Sequence, residues 1–429
     1  MVIQRNSYLL KLIDRQQNGL VKVICGLRRS GKSFLLFTLF VDYLKRQGVD
    51  DSHIIALSLD EDVNEQYRDP DVLSACIRSR ITDKKLYYVL LDEIQFAITK
   101  EELRNHDRPI KLYGLLNGLL HMENVDVYVT GSNSKMLAKD VMTEFRGRGD
   151  SVEMHPLSFM EYYSHVGGDR IAAYDDYARY GGMPLVLSQR DDLGKAEYLS
   201  GLFDELFFKD ILERYEIRLP DVLGELADDL CSSVGSLTNV SKIVKTLASA
   251  RKLSVDNGTI AAYLEYLTES YLFKASRRYD VKGKKYFEYP MKYYCADLGL
   301  RNARLNFRQQ DESHIQENIV YNELVARGFK VDVGVVPVYE KNEKGVSVEK
   351  KTEIDFVINR GMKRYYIQSA LSMDDMDKAR QELRPLLGVK DMFRKVVVSK
   401  TTAKPWFDDM GVLHLGIYDF LLDEKSLDY

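Results

Sequence analysis

Cysteine is scarce in this 429-residue chain. The four that occur, Cys25, Cys76, Cys231 and Cys295, are far apart and form no C-x-x-C pair. That spacing argues against a zinc site or a disulfide framework and fits a reducing compartment. A long apolar run is also missing: no stretch approaches the roughly 18 to 20 residues needed to span a bilayer. The opening "MVIQRNSYLLKLIDRQ" reads as an amphipathic helix without the apolar centre of a signal peptide. A cytoplasmic location with no membrane partner is the expectation. Nor is there a large charge of one sign, since the net charge is −4, and the chain as a whole does not advertise a nucleic-acid partner. Internal repeats, low-complexity tracts and long linkers are absent too.

What is present is 45% hydrophobic and 29% charged, the composition of a globular protein, in a length that implies two to four domains. Residues 20 to 155 alternate short apolar runs with helical patterns. The runs are "VKVICG", "HIIALSL", "LYYVLLD", "VDVYVT" and "SVEM". Such alternation predicts a parallel sheet with helices on both faces. Residues 156 to 220 read as mostly helical, broken at "GGMP".

"GLRRSGKS" fits G-x-x-x-x-G-K-[ST], and it follows a strand-like run and opens a helical one, the context that confirms a phosphate loop. Its glycines let backbone amides cradle phosphates, and the helix N-terminus adds partial positive charge. Gly26, Arg28, Arg29, Ser30, Gly31, Lys32, Ser33 and Phe34 are the predicted ATP contacts. Lys32 reaches the β- and γ-phosphates, and Ser33 ligates Mg²⁺. The arginine pair has no obvious task in the cradle, and its side chains are expected to point outward. Asp92 and Glu93 end the apolar "LYYVLLDE". Asp92 is expected to hold the Mg²⁺ shell, and Glu93 to orient or deprotonate the attacking water. In P-loop ATPases of the ASCE class a polar residue after the fourth strand contacts the γ-phosphate or that water; Asn133 is the candidate and Ser132 the second. Arg148, with Arg146 behind it, is the candidate for stabilising transferred-phosphate charge, in cis or from a neighbouring subunit of a homo-oligomer. Arg214 is a further sensor candidate.

Residues 221 to 300 read as three short helices and a hairpin turning at Lys282-Gly283, a winged helix-turn-helix. From Ser236 to Arg308, fourteen Lys and Arg against six Asp and Glu give +8, which leaves −12 for the rest of a chain of net −4. A basic module in an acidic protein is an electrostatic footprint of nucleic-acid binding. Lys274, Arg277, Arg278, Lys282, Lys284 and Lys285 concentrate it on the hairpin. The helical "DNGTIAAYLEYLTES" has no Arg or Lys and would read bases poorly. DNA contact is therefore expected to be to phosphates, with little sequence preference.

The marks "GLRRSGKS", "LLDEIQ", "TGSNSKML", "RGRGDSVEMHPLSFMEYY", "YGGMP", "KDILERY", "KYYCADLGLRNA" and "IQENIVYNELVARGFKV" span nearly the whole chain. Together they resemble the archaeal and bacterial AAA-type ATPases related to the AAA+ and STAND groups. Doubled arginines in the loop are usual there. The resemblance implies an ATPase core, a winged-helix module, and a C-terminal domain similar to PD-(D/E)xK nucleases. Such a domain uses a helix glutamate, here Glu317, a strand aspartate, here Asp355, and an E-x-K, here Gln368-Ser369-Ala370. The lysine that would steady phosphate charge is replaced by alanine, at a loss of several kcal/mol of electrostatic help. Lys363 and Arg364 are the cations close in sequence, Lys363 out of register with position 370 along the strand.

The expected fold is α/β in three parts. Residues 1–220 form a P-loop ATPase sheet with a helical extension, 221–304 the winged helix-turn-helix, and 305–429 a small, degenerate restriction-endonuclease-like domain. The expected activity is hydrolysis of ATP to ADP and phosphate, with nuclease activity not expected. The ATP would drive a switch engaging DNA or a protein partner. An ATP-dependent endonuclease and a STAND-like signalling or defence ATPase are the alternatives.

Overall fold

The structure, a computed structural model, describes residues 2–99, 101–102, 110–132, 149–250, 254–341 and 347–429. The chain forms two compact units, Met1–Pro156 with Glu269–Tyr271, and Leu157–Thr268 with Leu272–Tyr429. No helix among the described residues is long and apolar enough to cross a membrane.

In the first unit the apolar runs become five strands, β1 (Val21–Gly26), β2 (Ile54–Ser58), β3 (Tyr87–Asp92), β4 (Val125–Gly131) and β5 (Gly149–Met154). Every residue of β1 and β3 is buried, as expected of parallel strands covered on both faces. All pairings are parallel, in the order β2-β3-β4-β1-β5. The helix after β1 starts at Lys32–Phe34, passes through a π-helical stretch, Leu35–Phe40, and continues as Val41–Arg46. Its Leu35, Leu36, Phe40 and Leu44 pack with Ile24, Leu90, Tyr128 and Val152. Asp126 and Lys22 interrupt the apolar strands: the two pair as buried ions, and Tyr128 donates to Asp126 Oδ2 at 3.0 Å. The pairing offsets the cost of burying either charge.

The second unit opens with helices Phe159–Val166 and Arg170–Tyr180, the first started by a Ser158–Glu161 capping box. Helices Pro220–Ser232, Val240–Ala250 and Asn257–Glu269 follow, the three the sequence predicts. Next come β6 (Leu237–Thr238), β7 (Phe273–Asp280), β8 (Lys285–Cys295), β9 (Lys330–Lys341), β10 (Ser347–Arg360), β11 (Lys363–Ala370), β12 (Arg394–Ser399), β13 (Trp406–Phe407) and β14 (Leu413–Gly416), with β6 preceding the second of those helices. They form one sheet in the order β13-β14-β12-β11-β10-β9-β7-β8-β6.

The hairpin turns where expected, with Asp280 accepting from the amides of Lys282 and Gly283. The grouping differs from the three-part expectation in two ways. β7 pairs in parallel with β9, so hairpin and C-terminal strands share a sheet. The helices from 157 onward belong to this unit and not to the first; buried Asp297 accepts from Gly182 N at 2.7 Å, and Asn302 donates to Ala178 O and Arg179 O. Long-range hydrogen bonds of this kind carry no local sequence signal.

Candidate active site

The carboxyl ends of β1, β4 and β3 lie side by side, Cys25 opposite Gly131 and Leu91 opposite Val129. Crevices at such strand ends are where open α/β sheets bind ligands. The loop after β1 reverses sharply. Gly26 has φ +137°, and a Cβ there would lie 2.1 Å from Met154 O, so glycine is required. Gly31 (φ +101°) precedes the first turn of the helix. Arg28 is half-buried and Arg29 exposed, with a left-handed φ of +60°. Ser30 Oγ is buried without a hydrogen-bond partner.

Lys32 is 3% exposed, and its Nζ donates to Gly26 O at 3.1 Å and Leu27 O at 3.0 Å. Burial lowers its pKa, opposed by Glu93 and Asp92. A buried ammonium on two carbonyls, a buried unpartnered hydroxyl and a loop that turns at Gly26 where no Cβ fits together suit an anion such as phosphate.

Asp92 is also buried. Burial raises its pKa, while hydrogen bonds from Thr130 and Ser33 pull the other way. Ser33 and Asp92 are thus adjacent, an oxygen pair suited to Mg²⁺. Glu93 follows in a left-handed conformation, φ +52°. Its carboxylate accepts from Gln95 Nε2, and from Ser132 Oγ at 3.4 Å.

Thr130, which does not stand out in the sequence, joins the two acids. Its hydroxyl donates to Asp92 Oδ1 and accepts from Glu93 N at 3.0 Å. A hydroxyl at the penultimate position of β4, two residues before the polar Ser132, was the available signal. Ser132, the second choice after the fourth strand, reaches Glu93. Asn133, Arg146 and Arg148 lie outside the described residues, and Arg214 belongs to the second unit.

Residues 18–163 match the family model of an AAA domain, and residues 171–311 that of a domain of unknown function. An uncharacterized protein of Haemophilus influenzae is 31% identical, over 98% of this chain and 99% of its own length. This chain belongs to that family. As a member of it, the chain carries an AAA domain of P-loop ATPase type in its first unit. An uncharacterized Methanocaldococcus jannaschii protein is 27% identical over 89% of this chain and 81% of its own. Among solved structures, the Walker-type ATPase of Pyrococcus abyssi is 16% identical, covering 71% of this chain and 96% of its own at a TM-score of 0.47. The Aeropyrum pernix ORC1 protein in complex with DNA is 14% identical, covering 71% and 93% at 0.30. At these scores the fold rests on the strand order and loop of this chain itself.

In the second unit, Glu317, on helix Glu312–Ala326, and Asp355, on β10, both lie beside the Lys292 ammonium. That cation is unpredicted. Lys292, from β8, lies 2.9 Å from Glu317 Oε1, 2.7 Å from Glu353 Oε1 and 3.6 Å from Asp355 Oδ1. Burial alone would depress the Lys292 pKa, but the three carboxylates raise it above its usual value. Tyr294 donates to Glu317 at 2.7 Å, and Ser369 N to Asp355 at 2.9 Å. Gln368 donates to Glu382 at 2.8 Å. Neither sequence-adjacent cation takes part: Lys363 pairs with Asp428 at 2.8 Å, and Arg364 donates to Asn359 at 2.8 Å. The ammonium stands among the carboxylates where a divalent ion would need to sit, so this set does not fit a metal. Among the described residues no group of three or more His, Cys, Asp or Glu is arranged to hold one.

On the hairpin, Arg277, Lys282, Lys284 and Lys285 are exposed, and Lys274 and Arg278 half-buried.

Proposed function

We propose that this protein binds and hydrolyses MgATP at the β1–β4–β3 edge and uses the cycle as a conformational switch. The observation that carries the reading is Thr130, which holds Asp92 and Glu93 together at the same sheet edge as the buried Lys32. The amides from Gly26 to Ser33 bind the phosphates, and Lys32 leaves Gly26 O and Leu27 O for them. Ser33 and Asp92 hold Mg²⁺, which when bound neutralises charge developing on the transferred phosphoryl group. Glu93 orients the attacking water and takes its proton. To do so it must leave Gln95 and Ser132, so these two hold it in reserve. Phe34, Arg28 and Arg29 border the nucleotide; Asn133 and Arg148 complete the γ-phosphate contacts.

The switch engages DNA, a reading supported by the +8 segment and the exposed hairpin lysines. The contacts are to phosphates. Cutting of DNA is not part of the proposal, because Lys292 already occupies the carboxylate cluster. ATP turnover by the purified chain, and its loss on replacing Lys32, tests the reading.

A further inference from the structure

Directly opposed residues of neighbouring strands share a sheet face, and alternate residues along a strand return to it. Arg278 of β7 is opposite both Phe287 of β8 and Val333 of β9. Farther along β9, Val335 is opposite Glu353 of β10, and Pro337 opposite Lys351. Val333, Val335 and Pro337 alternate, so Arg278, Phe287, Glu353 and Lys351 lie on one face. The side chains agree. The Arg278 guanidinium is 5.4 Å from the Phe287 ring centroid, and the Lys351 ammonium is 5.6 Å from it on the other strand. Three acids share this face: Glu353, held by Lys292; Asp280, which accepts from the Lys282 and Gly283 amides; and Glu349, two residues beyond Lys351 on β10. Lys285, opposite Asp280, which in turn is opposite Val335, extends the strip to the turn, where Lys282 and Lys284 are exposed.

This is a half-buried aromatic ring flanked by half-buried Arg278 and exposed Lys351. A winged helix reading duplex DNA would instead place cations on the helix that enters the groove, and Asn257–Glu269 has no Lys or Arg. Open surfaces that combine cations for the backbone with rings for stacking suit unpaired bases.

We propose that this strip binds single-stranded nucleic acid, with a base stacked on Phe287 and phosphates on Arg278, Lys351 and Lys285. The proposal rests on the nucleic-acid reading above and names its substrate class. Neither Phe287 nor Lys351 stands out in the sequence, because their alignment exists only across four strands.

The test is fluorescence anisotropy of the full chain with labelled mixed-sequence strands of about 20 nucleotides, DNA and RNA, and with the matching DNA duplex, across a salt series. A DNA or RNA strand should bind at least about tenfold more tightly than the duplex. Phe287→Ala should weaken strand binding by about fivefold to a hundredfold, the range for losing one base–ring stack. Lys351→Gln should lower the salt slope by about 0.7. Phe287→Leu keeps an apolar side chain, so weakened strand binding at an unchanged Tm separates stacking from misfolding. Duplex bound as tightly as either strand, or a neutral Phe287→Leu, would overturn the proposal and leave the DNA reading standing. Binding of neither strand nor duplex would end both.

Discussion

Lys292 Nζ stands 2.9 Å from Glu317 Oε1, and the two come from a hairpin strand and a helix that the sequence assigns to different modules. The ion pair therefore fastens the hairpin to the C-terminal half of the sheet. Replacing Lys292 by Met would leave Glu317, Glu353 and Asp355 buried or half-buried without a cation. Removing one partner of a buried ion pair costs about 3–5 kcal/mol. Urea unfolding should show a loss of that order, partly recovered in Lys292→Met/Glu317→Gln. A Lys292→Met protein as stable as the parent would contradict the fastening role.

Asp355 in the same cluster makes stability depend on pH. Burial first and Glu317 second push its carboxyl up to about 7, with Lys292 opposing. The unfolded chain releases that proton near about pH 3.9. Across the interval the folded state holds the proton more tightly, so this contribution is full below about pH 4 and is lost as pH rises through about 7. The stability difference between the parent and Asp355→Asn should therefore shrink from about pH 4 to 7 and level off above about 8. A difference flat across that range would show that Asp355 ionises normally.

Thr130 makes a sharper demand on the ATPase site. Thr130→Val keeps the shape and removes the hydroxyl that both acids share. Loss of such an orienting group typically costs about 10- to 100-fold in activity. The fall should appear in kcat, with ATP affinity nearly unchanged, since the phosphates are held by the loop. A matching fall in ATP affinity would instead make Thr130 part of the binding site.

The hairpin lysines address the DNA reading. Neutralising Lys282, Lys284 and Lys285 together should weaken binding and flatten its salt dependence. For each phosphate no longer neutralised, the slope should fall by up to about 0.9 on duplex or about 0.7 on a single strand. An unchanged slope would move the DNA surface off the turn.

The first unit was largely legible in the sequence for a physical reason. Strands of a parallel sheet are buried on both faces and read as unbroken apolar runs, and "VKVICG" and "LYYVLLD" become β1 and β3 with every residue of each strand buried. The phosphate loop was legible because Gly26 and Gly31 occupy backbone conformations other residues resist. Thr130 was missed because one hydroxyl among apolar neighbours looks like ordinary strand composition.

Lys292 was missed for a different reason. It sits in a basic hairpin where a cation attracts no notice, and its partner Glu317 is 25 residues away. Its role exists only once β7 pairs with β9. The same pairing, invisible to local periodicity, is why the expected wing and C-terminal domain form one sheet.

The most direct test of the central claim is steady-state ATP hydrolysis by the parent protein, Lys32→Ala and Glu93→Gln, with nucleotide binding measured alongside. The account predicts Mg²⁺-dependent turnover in the parent and none measurable in Lys32→Ala. In Glu93→Gln it predicts ATP binding retained, with turnover reduced by at least about 100-fold. Parent-level turnover in Lys32→Ala would contradict it.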